Sequence, residues 1–311
     1  AVLTKGLFGV VFPVAVALFF LIGKKDIAFL KSRSTLWGIL LFIGIAFPWH
    51  ILMYVRHGQL FLEEYFYNVH WRRILMAEHA RLDNWYFYLM LLVVGVMPWF
   101  LFWVPAGCCI FTQFKKKMAS RGELFFLLAW IVSVYIFVQP AHSKLASYIF
   151  PAFPAVAIIL AYTLNDIFDK ASTGENPWLL RICAHIMSAL FVGIAIAGIF
   201  VAKQHTDIIL DMRPVYFASA MLLCTAFLIF FFNCKKLYMP MVFSYLGVTV
   251  ALLGGLYFVK PSVEPWVSCK GISDIFNQKD RSQTPVLASR FYVRGVRFYT
   301  DRPMAIIDIF G

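Results

Sequence analysis

Residues 35–54 read TLWGILLFIGIAFPWHILMY, twenty positions without one Asp, Glu, Lys or Arg. A helix needs about 20 mainly apolar residues to cross the hydrocarbon core of a bilayer. Working outward, comparable runs occur at about 6–23, 86–111, 123–139, 147–165, 179–202, 215–233 and 238–259. The reading is therefore eight crossings. Gly and Pro inside several runs are no objection, because neighbouring helices can satisfy the freed backbone groups. Long apolar runs also argue against a transmembrane barrel, whose strands would alternate in pieces of about 10 residues.

Composition agrees. Of 311 residues, 61% are hydrophobic and only 14% charged, against about 45–50% and about 25% in a soluble domain. There is not enough polar side chain to cover a water-exposed surface. The net charge of +12 would suggest nucleic acid in a soluble protein. Here it has a topological explanation instead, because Lys and Arg concentrate in loops that stay in the cytoplasm, and no nucleic-acid partner is expected. Lys24, Lys25, Lys31 and Arg33 follow the first run, Lys115, Lys116, Lys117 and Arg121 the third, and Lys235 and Lys236 the seventh. Alternation of eight spans puts all three groups on one side, which is then cytoplasmic. The other side receives residues 1–5, 55–85, 140–146, 203–214 and everything after Lys260.

Two segments depart from the apolar pattern. The outward loop 55–85 holds Arg56, Arg72, Arg73 and Arg81, with Glu63, Glu64, Glu78 and Asp83 to offset them. Within FLEEYFYNVHWRRIL (61–75), Phe61, Leu62, Tyr65, Phe66 and Val69 fall on one face of an α-helix, with Glu63, Glu64, Tyr67, Asn68 and His70 turned away. Such a helix lies in the interface rather than crossing it. After Lys260 the composition becomes that of a soluble protein. Two β-rich runs, 284–288 and 304–309, predict a small α/β extramembrane domain over 261–311. The six cysteines show neither metal spacing nor a disulfide framework.

Three elements meet at the outward face on this topology: Thr4-Lys5-Gly6; the loop with Asn68, His70, Arg73, Glu78 and His79; and His142-Ser143-Lys144-Leu145, followed by Tyr148, Pro151 and Pro154. Lys as a point charge and Arg as a bidentate fork suit an anionic headgroup phosphate. The same cations would stabilise charge growing on a departing lipid phosphate. The plainer reading is that such residues snorkel from helix ends to ordinary lipid headgroups. Glu78 and His79 are two candidate ligands for a divalent metal, fewer than the three or four of a zinc site. No nucleotide-binding glycine loop, Walker motif or nucleophile elbow is present.

The ordered set Leu3-Thr4-Lys5-Gly6, Phe47-Pro48-Trp49, Phe61-Leu62-Glu63-Glu64-Tyr65-Phe66, His70, Arg73, Glu78-His79 and Trp85-Tyr86-Phe87-Tyr88 resembles one bacterial family. Gly95, Met97-Pro98-Trp99, Ser143-Lys144-Leu145, Tyr148, Pro151, Arg297-Phe298-Tyr299 and Arg302-Pro303 continue it. The family is the membrane glycosyltransferases related to protein O-mannosyltransferases, nearest to the aminoarabinose transferases that modify lipid A. The resemblance implies a GT-C helical fold in the bacterial inner membrane, with a polyprenyl-phosphate-linked sugar donor and a periplasmic active face. The acceptor would be a glycolipid, a glycan or a protein. Lys5, Arg73 and Lys144 would bind the donor phosphate; His70, Glu78, His79 and Tyr148 would lie near the reaction centre, where some relatives hold a metal beside the position of His79. The family's catalytic carboxylate sits in a loop ahead of the TKG motif, so the chain is expected to be the downstream part of a longer protein. A transporter or flippase of an anionic lipid-linked sugar is the alternative. It would need polar, broken-helix sites near the membrane midplane.

Overall fold

A computed structural model describes all residues except 1, 72–83, 117–120, 143, 205–211, 280–284, 290, 291 and 308–311. The chain divides into two compact units, Ala1–His185 and Ile186–Gly311.

The first unit opens with a short helix α1 (Val2–Lys5), then α2 (Phe8–Lys24). A 3-10 turn, Ile27–Lys31, leads into α3 (Arg33–His57). Ser32 caps α3, its Oγ accepting from the Thr35 amide at 3.2 Å, which satisfies one of the orphan donors of a helix start. Among the residues of α3, only Ala46 is buried, while Trp37 is 70% exposed and Leu41, Ile45, Leu52 and Val55 lie open as well. A helix apolar all round is what a lipid environment tolerates and water does not.

The third apolar run is not one helix. It is expected as a single span over 86–111, yet it divides into α5 (Phe87–Val94), a turn, a 3-10 element (Phe100–Phe102) and α6 (Trp103–Lys115). Pro98 explains the break: it has no N–H to donate to a helix, and the Met97–Pro98 peptide bond is cis. α7 (Arg121–Val138) follows, then a 3-10 segment Ala146–Ala152 that runs into α8 (Phe153–Ser172), with Pro154 in the first turn where its fixed φ suits a helix start. α2 packs on α7, with Phe20 edge-on to Phe126 (5.2 Å). α7 and α8 share a core of Leu124, Leu127, Val134, Val156 and Ile159. α6 is joined to α8 by polar contacts, Gln113 Nε2 donating to the Tyr162 hydroxyl at 2.9 Å and Cys109 Sγ to Asp166 at 3.6 Å. Interhelical hydrogen bonds of this kind supply association that lipid-facing apolar surface cannot.

α9 (Trp178–Gln204) passes into the second unit, which contains α10 (Arg213–Cys234) and α11 (Tyr238–Val267). α10 and α11 form a tight antiparallel pair around Ala226, Ile229, Met241 and Tyr245. Ser188 donates to the Ala226 carbonyl (2.7 Å) and Ser219 to the Ala195 carbonyl (3.2 Å), pinning α9 to α10. The composition change at Lys260 falls within α11. Beyond it come α12 (Lys270–Lys279), β1 (Val286–Ser289), α13 (Val293–Thr300) and β2 (Met304–Ile307). The strands pair in parallel, Val286 opposite Met304, as a crossover through a helix requires. The buried Arg302 guanidinium sits over the Phe276 ring at 4.8 Å.

Among the described residues, four stretches are long and apolar enough to span a bilayer: Arg33–His57, Ala146–Ser172, Trp178–Gln204 and Arg213–Cys234. Phe8–Lys24, Phe100–Lys115 and Gly122–Val138 are shorter apolar helices. The chain is an all-α polytopic membrane protein with a small α/β segment at its C-terminal end.

Candidate functional site

The first unit gathers its polar chemistry around the stretch between α7 and α8. Lys144 is 3% exposed, and its Nζ donates to the Ala141 carbonyl at 3.1 Å. Burying a basic side chain is costly unless it is paired and hydrogen-bonded. The next residue is tied to α5: the Leu145 amide donates to the hydroxyl of Tyr88, a residue with no exposed surface. The Tyr148 ring lies against Phe8, the first residue of α2, at 6.4 Å. Between α1 and α2 the chain turns at Gly6, whose φ of +62° is a left-handed value that side chains disfavour. This turn and the Phe8–Tyr148 contact bring the backbone of Lys5 and the Lys144 stretch to one end of the unit.

The second outward element is wound differently from expectation. After Gly58, α4 (Gln59–Leu62) leads into a π-helical segment, Glu63–Trp71, instead of one continuous α-helix. The i→i+5 repeat of a π-helix sets backbone position 70 one turn beyond Tyr65, where an α-helix would set 69. His50 of α3 holds this segment. Its Nδ1 lies 2.8 Å from the Ala46 carbonyl and its Nε2 3.0 Å from the Tyr65 hydroxyl. Trp49 and Phe61 close around the pair, Trp49 edge-on to His50 and Phe61 stacked on Tyr65. Burial pushes the Tyr65 phenol above its ordinary range.

Of the residues singled out by sequence, Lys144 and Tyr148 are described in full, whereas Lys5 and His70 are described in their backbone alone. Arg73, Glu78 and His79 lie outside the described residues. Among the described residues, no three His, Cys, Asp or Glu come together as a metal site. Sequence reasoning assigned no role to Tyr88, because a tyrosine at the start of an apolar run looks like any interfacial aromatic. His50, directly after Pro48-Trp49 in an otherwise apolar helix, reads from sequence as a structural residue rather than a site residue.

Tyr88→Phe tests the support of the Lys144 stretch. It removes the acceptor of the part-buried Leu145 amide, a net loss of about 0.5–1.5 kcal/mol. Thermal unfolding in detergent should show a lowered midpoint, and an unchanged midpoint would mean that the hydroxyl supports nothing.

Apolar helices exposed to lipid, with a buried lysine and aromatic rings at one end, define a helical multi-pass membrane protein with a polar mouth. Comparison with known proteins narrows this. No protein-family profile matches the chain. It is 31% identical over 222 residues to undecaprenyl phosphate-alpha-4-amino-4-deoxy-L-arabinose arabinosyl transferase 2 of Pseudomonas fluorescens, covering 71% of this chain and 34% of that protein. It is 26% identical over 219 residues to the transferase of the same name from Proteus mirabilis, covering 70% and 36%. Its fold matches the crystal structure of ArnT from Cupriavidus metallidurans bound to undecaprenyl phosphate, with a TM-score of 0.70 and 20% identity, over 100% of this chain and 55% of that one. The matched stretch thus spans about a third of the curated relatives' length and about half of the crystallised protein. The chain is similar in sequence to these arabinosyl transferases over about a third of their length, and it shares the fold of ArnT over about half of that protein.

Proposed function

We propose that the chain forms part of an integral-membrane glycosyltransferase that moves a sugar from a polyprenyl-phosphate-linked donor to an acceptor at the periplasmic face of the bacterial inner membrane. The acceptor is a lipid A-like glycolipid, a glycan or a protein. An acceptor hydroxyl or phosphate attacks the anomeric carbon of the sugar, an attacking hydroxyl giving its proton to a general base; the bond to the donor phosphate breaks, and polyprenyl phosphate leaves with the electron pair, with inversion at carbon. Lys5, Arg73 and Lys144 hold the donor phosphate and offset the charge that grows on it. His70, Glu78, His79 and Tyr148 stand near the reaction centre. Residues 1–260 serve as the membrane part, with 55–85 at the periplasmic interface, and 261–311 as a periplasmic domain.

The observation that carries this reading is Lys144: a buried lysine held in a loop whose neighbours contact the turn after Lys5, in a chain whose fold follows that of a protein crystallised with undecaprenyl phosphate. The test is binding in lipid nanodiscs of undecaprenyl phosphate against undecaprenol, which lacks the phosphate. Tight binding of the phosphate and weak binding of the alcohol are expected. Equal binding of the two would overturn the assignment of these residues to a phosphate.

A further inference from the structure

We propose that the connection between α2 and α3, residues 24–33, is a docking site for an anionic phospholipid of the cytoplasmic leaflet. The inference does not depend on the donor reading above, because it concerns the opposite end of α2.

The segment reads KKDIAFLKSR and sets Lys24, Lys25, Lys31 and Arg33 against one acid, Asp26. All five are exposed. Among the described residues the one ion pair is Lys170 with Asp166, so these four cations keep their charge for a partner outside the chain. Between them Ile27, Phe29 and Leu30 lie open, and no residue of the 3-10 turn Ile27–Lys31 is buried. A bilayer interface accepts that mixture: apolar side chains enter the acyl boundary while the flanking cations meet lipid phosphates. The level in the membrane agrees. α2 has 17 residues and is about 25 Å long, so with Phe8 at the outward end Lys24 emerges near the far boundary of a core about 30 Å thick. Trp37, exposed early in α3, sits at the level where interfacial aromatic rings gather.

Basic residues at a cytoplasmic helix end are expected of any such protein. What goes beyond that bias is that the turn is preformed. Lys25 ends α2 in the left-handed region at φ +58°, its amide donating to the Ile22 carbonyl and that of Asp26 to Leu21. On the other side Ser32 caps α3, and Thr35 Oγ1 donates to the Phe29 carbonyl at 2.9 Å. Lys24 is placed as well. Its Nζ lies 5.0 Å from the centre of the Phe20 ring, and Phe20 packs on Phe125 and Phe126 of α7. A Cβ on Gly23 would run into the Phe125 ring, so α2 and α7 meet closely just where Lys24 emerges. Groups already ordered in this way lose less freedom when a ligand binds.

Native mass spectrometry of the purified chain reads its affinity for phosphatidylglycerol against zwitterionic phosphatidylcholine. Hydrogen exchange of the amides of 25–33, in nanodiscs of either lipid, reports where the lipid sits. The wild-type chain is expected to prefer phosphatidylglycerol and to exchange more slowly in 25–33 when that lipid is present. Lys24→Gln/Lys25→Gln, which leaves Lys31 and Arg33 to orient insertion, should weaken phosphatidylglycerol binding about tenfold. Phe29→Ser keeps every cation and should weaken it about threefold through lost apolar contact. Lys115→Gln/Lys116→Gln removes as much charge at the end of α6, on the same side of the membrane, and should leave the preference unchanged. An equal loss in that last variant would overturn the proposal, since net charge alone would then explain the binding. Equal affinity for the two lipids would overturn it too, as would unchanged binding and exchange in Phe29→Ser. A wild-type dimer that Phe29→Ser abolishes would assign the face to a second copy and overturn the lipid reading.

Discussion

If Lys144 holds the donor phosphate as proposed, replacing it by Met should leave a folded, inserted protein with weakened binding of undecaprenyl phosphate. Lys144 is almost fully buried and donates to the Ala141 carbonyl. A buried cation of this kind suits an anionic group. If that is the donor phosphate, the lost cation removes stabilisation of the leaving group, and turnover should fall by about 10²–10³-fold, the scale seen when one donor to a developing anion is removed. The measurements are binding of undecaprenyl phosphate by the purified chain in nanodiscs, sugar transfer by a full-length enzyme carrying the substitution, and thermal unfolding. Loss of binding and transfer with the unfolding midpoint largely kept is the expected outcome. Full transfer by Lys144→Met would remove Lys144 from the site, and a large drop in the midpoint would make it a structural residue.

Gly95→Ala should destabilise the first unit. Gly95 ends α5 beside the break at Pro98. A Cβ there would lie 2.5 Å from the Leu91 carbonyl oxygen and 2.5 Å from the Phe153 ring. The oxygen belongs to the backbone of α5 and cannot swing aside; Phe153 is the first residue of α8 and is mostly buried. Forcing a methyl group into such a contact costs about 1–3 kcal/mol, since backbone and ring must both shift. Gly44→Ala in mid-α3 is the control, because a Cβ there meets nothing within 4 Å and alanine favours the helix by about 1 kcal/mol. Thermal unfolding should fall for the first variant and hold or rise for the second. Equal midpoints would show that α5 and α8 are not in close contact at Gly95.

Lys144 and Gly95 also show where sequence reading stops. The type and approximate bounds of most elements were legible, because lipid demands that every backbone group be satisfied within the segment. Residues 35–54 fall inside α3, 179–202 inside α9 and 215–233 inside α10. The two β-rich runs of the tail became β1 and β2 for a similar local reason, β-branched residues between turn signals. Lys144 stood out as a basic residue between two apolar runs, and its burial was invisible. Nothing in its own neighbourhood announces that Tyr88, fifty-seven positions earlier, accepts from the next amide.

By itself the sequence determined that this is a membrane protein of about eight apolar segments, with its basic loops biased to one side and a mixed α/β tail. These follow from length, hydropathy and charge, which act locally and need no partner. Tertiary structure alone decided the π-winding of 63–71 and the contacts that tie the Lys144 stretch to Tyr88 and Tyr148 to Phe8. Inside a bilayer one apolar face is as well solvated as another, so hydrophobicity cannot specify which helices touch. That choice falls to close approach at small residues and to a few hydrogen bonds such as Ser188 to Ala226 and Tyr65 to His50, which the order of residues does not reveal.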